Sequence, residues 1–105
     1  MIFRVDITAE VMAKAAAQFP LERSPEGAPS SYDFVGGPLA AAVFAFRDFG
    51  SLSYDVVPAV RSYMIPDPVF GAVVFSGVLV DGVVQIADFA VDPDYWTLVD
   101  DDPDG

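Results

Sequence analysis

The sequence predicts an α+β domain with the element order β-α-α-β-β-β, a helical hairpin packed on a mainly antiparallel sheet. Three observations lead there. Residues 2–7 alternate with period two, two stretches of helical spacing follow, and from Val56 onward the chain is Val-rich and punctuated by tight-turn pairs. At 105 residues the chain is long enough for one core and too short for two. Residues 1–99 are therefore read as a single domain and the acidic end, 100–105, as a flexible tail.

In Ile2-Phe3-Arg4-Val5-Asp6-Ile7 the residues Phe3, Val5 and Ile7 share one side and Ile2, Arg4 and Asp6 the other, which predicts a half-buried strand. Thr8 has the side chain to cap a helix whose first turn holds Glu10; Val11, Ala15 and Phe19 then recur near helical spacing until Pro20 stops it. Residues 21–31, LERSPEGAPSS, have loop composition and form the best linker candidate. Because Gly36-Gly37 would weaken any helix begun at Ser31 and Pro38 suits a first helical position, the second helix is placed at Pro38 to Phe49, with Gly50 as its stop. Leu39, Val43 and Phe46 make one stripe of that helix, yet Ala40, Phe44 and Ala45 make its other sides apolar, so it should be covered twice: by the sheet and first helix, or by a second chain.

The β half is predicted as Val56–Ile65, a turn at Pro66-Asp67-Pro68, Val69–Val80, a tight Asp81-Gly82 hairpin and Val83–Val91. Gly71 and Gly77 mark bends or bulges in the long strand, and Pro58 belongs near an edge or a strand start.

Composition narrows the function classes. The apolar fraction of 53% stands beside a net charge of −11, and the nine Phe and Val-rich runs set the chain apart from disordered acidic sequences. An apolar surplus in so short a chain leaves hydrophobic surface outside, and such a patch usually marks an interface. Zero His removes the commonest general base and metal ligand, and zero Cys removes thiolate sites and disulfides. No cofactor or metal is expected, and the chain is read as non-enzymatic. Asp100, Asp102 and Asp104 match the opening of a calcium loop, but no bidentate Glu follows them. The five basic residues, Arg4, Lys14, Arg23, Arg47 and Arg61, are too few to hold a phosphate backbone, so no direct nucleic-acid partner is expected. The start MIFRVDITAE has no signal-peptide pattern and no long uncharged apolar window occurs, which predicts a cytoplasmic protein without a membrane span.

Several phrases together resemble a family. Leu39-Ala40-Ala41-Ala42-Val43 through Phe49-Gly50 looks like the second helix and exit of the RelE/ParE toxins of toxin–antitoxin pairs. Ala59-Val60-Arg61 looks like the entry to their second strand, Val74-Phe75 through Asp81-Gly82-Val83-Val84-Gln85-Ile86 like their central hairpin, and Asp92-Pro93-Asp94-Tyr95-Trp96 like a ParE-type ending. The basic stretch that usually precedes that ending is replaced here by Phe89-Ala90-Val91, so the resemblance implies a ParE-like protein-binding role without the ribonuclease activity. It also implies a partner, an antitoxin-like helix laid along an apolar face.

Two other readings come from composition: an acidic inhibitor or immunity protein that occupies the basic, nucleic-acid-binding surface of a target protein, and a structural subunit that buries its apolar surplus in a homo-oligomer. The candidate partner-binding residues are Phe44 and Arg47 on the second helix, Arg61 as the one basic position matched by the resemblance, and Tyr95 and Trp96 as aromatic anchors with polar handles. Helical spacing of Phe44, Phe46 and Phe49 also suits packing in the core, and Arg61 is expected to pair with a carboxylate such as Asp6 or Asp88. Asp92 and Asp94 are read as turn formers.

Overall fold

A computed structural model describes residues 2–22, 25, 29–52 and 59–95. It is an α+β fold in the expected order. One four-stranded sheet, ordered β1-β4-β3-β2, comprises β1 (Arg4–Ile7), β2 (Val60–Asp67), β3 (Gly71–Val80) and β4 (Val83–Asp92). The strands β2, β3 and β4 form an antiparallel meander, and β1 joins β4 in parallel with Arg4 opposite Val83 and Ile7 opposite Ile86.

The helix α1 (Ala9–Gln18) follows β1 directly, and the Thr8 hydroxyl accepts the Val11 amide at its start. Val11, Ala15 and Phe19 turn inward. Among the described residues, no strand lies beside the edge of β4 beyond Ile7. Lys14 reaches over from α1 to donate to the Phe89 carbonyl and to Asp88 at 2.8 Å, and a charged side chain of this kind blunts an otherwise open edge.

The second helical stretch corrects the expected start at Pro38. It begins at Ser31 and runs through α2 (Ser31–Phe34), a π-helical turn over Val35–Leu39 and α3 (Ala40–Phe46). A capping box starts it: the Ser30 hydroxyl accepts the Asp33 amide and the Asp33 carboxylate accepts the Ser30 amide. Gly36-Gly37 costs helix propensity, and Pro38 cannot donate to a carbonyl four residues back. The wider π turn accommodates that missing donor, and burial of Phe34, Pro38 and Leu39 offsets the cost. The far end also differs from expectation. The helix stops at Phe46, and Phe49–Ser51 form a separate 3₁₀ turn that contains Gly50.

Within the sheet, Pro66 and Asp67 belong to β2 rather than to a turn. Pro66 lies on the edge strand, where its lack of a donor is tolerated, and the Asp67 carboxylate accepts the amides of Val69 and Phe70 to fix the turn that follows. The strand β3 accordingly starts at Gly71, not Val69. The expected beginning of β2 at Val56 lies outside the described residues, as do Pro58 and the tail 100–105. Asp81 and Gly82 both take positive φ, 51° and 79°, as the tight hairpin requires. The register slips between Ser76 and Gly77, where Ala87 of β4 is the extra residue, so the bulge lies on the strand opposite Gly77 and not in the long strand where the sequence placed it.

The core lies between the helices and one side of the sheet. Phe34 is at its centre, stacked on Phe19 at 5.1 Å and 4.6 Å from Phe89, with Phe70 and Phe75 also against it. Gly77 has no side chain because the Phe46 ring occupies that space: a Cβ there would come within 2.6 Å of it.

Candidate docking surface on the helical layer

From Phe34 to Phe46 two stripes oppose each other on the second helical stretch. Phe34, Pro38, Ala42 and Phe46 follow at intervals of four and are buried. Tyr32, Gly36, Ala40 and Phe44, offset by two residues and therefore on the opposite side, are all exposed. Phe44 is 73% exposed and Tyr32 70%. The sequence reading that grouped Phe44 with the core phenylalanines is thereby corrected, whereas Phe46 and Phe49 are core residues. Phe44 points outward because the inward positions of this helix are set by Phe34 and Phe46, and position 44 is close to half a turn away from the latter.

Between Ser31 and Phe46 the single charged residue is Asp33, and it is spent in the capping box. On α1 the residues Glu10, Lys14 and Gln18 make one polar stripe, which Lys14 anchors toward β4, while Met12, Ala13, Ala16 and Ala17 are exposed without charge. The outer side of the helical layer is therefore apolar over most of its length.

Two hollows mark its ends. One, of about 290 Å³, lies between α1 and α2 and is lined by Met12, Ala16, Leu21, Tyr32 and Val35 among others. The other, of about 190 Å³, lies at the exit of α3 among Ile2, Phe44, Arg47 and Asp48. Arg47 stands over the Phe44 ring with its guanidinium carbon 5.7 Å from the centroid. Its carbonyl accepts the Phe3 amide at 2.8 Å, which ties the exit of α3 to the start of β1.

The remaining candidates do not converge on this surface. Arg61 is half-buried on the helical side of the sheet, where its Nε donates to the Phe49 carbonyl at 3.3 Å and its guanidinium stacks on the Phe49 ring at 5.0 Å. The expected carboxylate partners are engaged elsewhere, Asp6 by Arg4 at 3.0 Å and Asp88 by Lys14. Tyr95 is half-buried past the end of β4, after a turn in which Asp92 accepts the Asp94 amide. Ile2 and Phe44 lie near the start of β4, so Tyr95 is removed from them by the length of that strand, about 30 Å. Trp96 lies outside the described residues.

Sequence reasoning missed Met12, Leu21, Tyr32 and Val35. The signal for the last two was the S-x-x-D pattern at Ser30–Asp33, which marks a helix start ahead of the Tyr32-Gly36-Ala40-Phe44 stripe.

Electrostatically the surface is asymmetric. Each described basic residue, Arg4, Lys14, Arg47 and Arg61, contacts a carboxylate, carbonyl or ring of its own chain. Glu10, Glu22, Asp48, Asp81, Asp92 and Asp94 are exposed. The Asp88 carboxyl is held below the usual carboxylate range by the Lys14 ammonium, with the Phe89 amide assisting. Among the described residues no three Asp, Glu, His or Cys side chains gather as a metal site, and no helix is long and apolar enough to cross a membrane. Comparison with protein-family models, curated proteins and solved structures gave no match.

Proposed function

We propose that this chain is a protein-binding module that acts through the outer side of its helical layer. The observation that carries the reading is the largely apolar surface running from Met12 and Tyr32 to Phe44, with two aromatic rings held outward at its ends. Exposed aromatic residues on an apolar surface are the usual anchors of protein interfaces. Under the RelE/ParE resemblance the partner is an antitoxin-like protein whose apolar helix lies along this surface.

The test is titration with a protein encoded beside this chain that carries an amphipathic helix, using wild type and Phe44→Glu. Circular dichroism verifies that the variant stays folded. A loss of about 2 kcal/mol in affinity supports the reading, and an unchanged affinity contradicts it.

A second reading, the acidic inhibitor of a basic target, is supported by the exposed carboxylates and by basic residues spent within the chain. Ionic strength separates the two. Association through exposed charges collapses near 1 M salt, where the screening length is about 3 Å, while apolar docking persists.

A further inference from the structure

The docking surface proposed above has a feature that selects its occupant: it carries both a knob and a hole. Phe44 projects from one end with 73% of its surface exposed. The hollow of about 290 Å³ around Met12, Ala16 and Val35 lies at the other end of the same side. Val35 and Phe44 are nine residues apart along the helical stretch, about 13 Å. A benzene ring is accepted by an apolar cavity of roughly 150 Å³, so the hollow is large enough for a phenylalanine ring.

We infer that the occupant is a second copy of this chain, placed by a two-fold axis that passes the helical stretch near Ala40. Such an axis sets the two stretches antiparallel and brings each Phe44 over the other copy's hollow. The positions between, Gly36, Ala40 and Ala41, are exposed and small, which allows close approach of the helices. An isologous contact needs this self-complementarity.

Charge points the same way. A chain of net charge −11 resists its own copy through any surface that carries its carboxylates. Asp33, used in the capping box, is the one charge between Ser31 and Phe46, and the exposed Glu10, Glu22 and Asp48 lie at the borders of the helical layer. A second copy that approaches along Gly36, Ala40 and Phe44 therefore meets few carboxylates. The contact rests on about ten exposed residues, short of the 20–30 per partner found in interfaces of standard size, so dissociation on the order of micromolar is expected.

The inference depends on reading this side as a docking surface, and sedimentation equilibrium of the full chain between 1 and about 200 μM tests it. Wild type should pass from monomer to dimer over this range, while Phe44→Glu and, independently, Ala16→Arg should stay monomeric with unchanged circular dichroism. A wild type that remains monomeric at the top concentration overturns the second-copy inference and leaves the partner titration with Phe44→Glu as the separate test of the docking surface. A dimer undisturbed by both variants overturns it as well, by placing the contact elsewhere. The absence of native cysteine permits one further arm. Oxidised Ala40→Cys should cross-link to itself across the axis, and Ala87→Cys, exposed on β4, should not. Equal cross-linking of the two contradicts the two-fold placement.

Discussion

The Phe44 ring and the Arg47 guanidinium lie 5.7 Å apart on the outer side of α3, and the ring is otherwise open to solvent. A cation over an exposed ring contributes about 0.5–1 kcal/mol, far less than burial of the ring would. Phe44→Ala should therefore change folding stability by less than about 1 kcal/mol. The corresponding change at Phe34, which is fully buried among four other phenylalanine rings, should cost about 3–5 kcal/mol. Paired denaturant melts of the two variants check the assignment of outer and inner stripes.

Ser30 decides where the second helical stretch begins. Ser30→Ala removes the acceptor of the Asp33 amide and should cost about 1 kcal/mol, and Ser30→Asp should recover most of it. If the helix began instead at Pro38, neither change would register in the melting temperature.

Gly77 meets the Phe46 ring so closely that any side chain there must displace it. Phe46 is fully buried and has no room to yield. Gly77→Ala should destabilise by about 1–3 kcal/mol, and Phe46→Leu in the same chain should relieve part of that loss. A double-mutant cycle measures the coupling.

The Lys14–Asp88 pair sets a small acid dependence. Because the folded-state pKa of Asp88 is depressed, its stabilising contribution is present above the ordinary carboxylate range and is lost as pH falls through the depressed value. The pair is largely exposed, so the contribution is under about 1 kcal/mol. Asp88→Asn should lower stability slightly at neutral pH, and the difference from wild type should vanish in strong acid. Stability curves measured from pH 7 down to pH 2 test the sign.

Much of the fold was legible in local chemistry. The Thr8 cap, the Val11-Ala15-Phe19 stripe and the Asp81-Gly82 hairpin follow from side-chain and backbone preferences that neighbours do not override. The second helical stretch was misplaced because Gly36-Gly37 counts against a helix begun at Ser31 and Pro38 suits a first helical position, whereas a π turn and the burial of Pro38 absorb both within one stretch. That error moved the helix start past Tyr32 and Val35, which line the proposed docking surface. Pro66 was read as a turn because its position on an edge strand is a property of the sheet and not of its neighbours in sequence. For the site, Phe44 and Arg47 could be named from the apolar excess of the helix. Arg61 and Tyr95 could not be separated from them without knowing that one stacks on Phe49 and the other lies at the far end of β4.

Methionine oxidation tests the assignment of the docking surface most directly. Met12 lies on the helical layer and Met64 on the outer side of the sheet, and they are nearly equally exposed, 42% and 43%. Both should therefore oxidise at similar rates in the dilute, unbound protein. When the protein is concentrated to the point of association, or a partner is bound, peptide mass spectrometry should show Met12 oxidising several-fold more slowly while Met64 is unaffected. Protection of Met64 with Met12 unchanged would contradict docking on the helical layer.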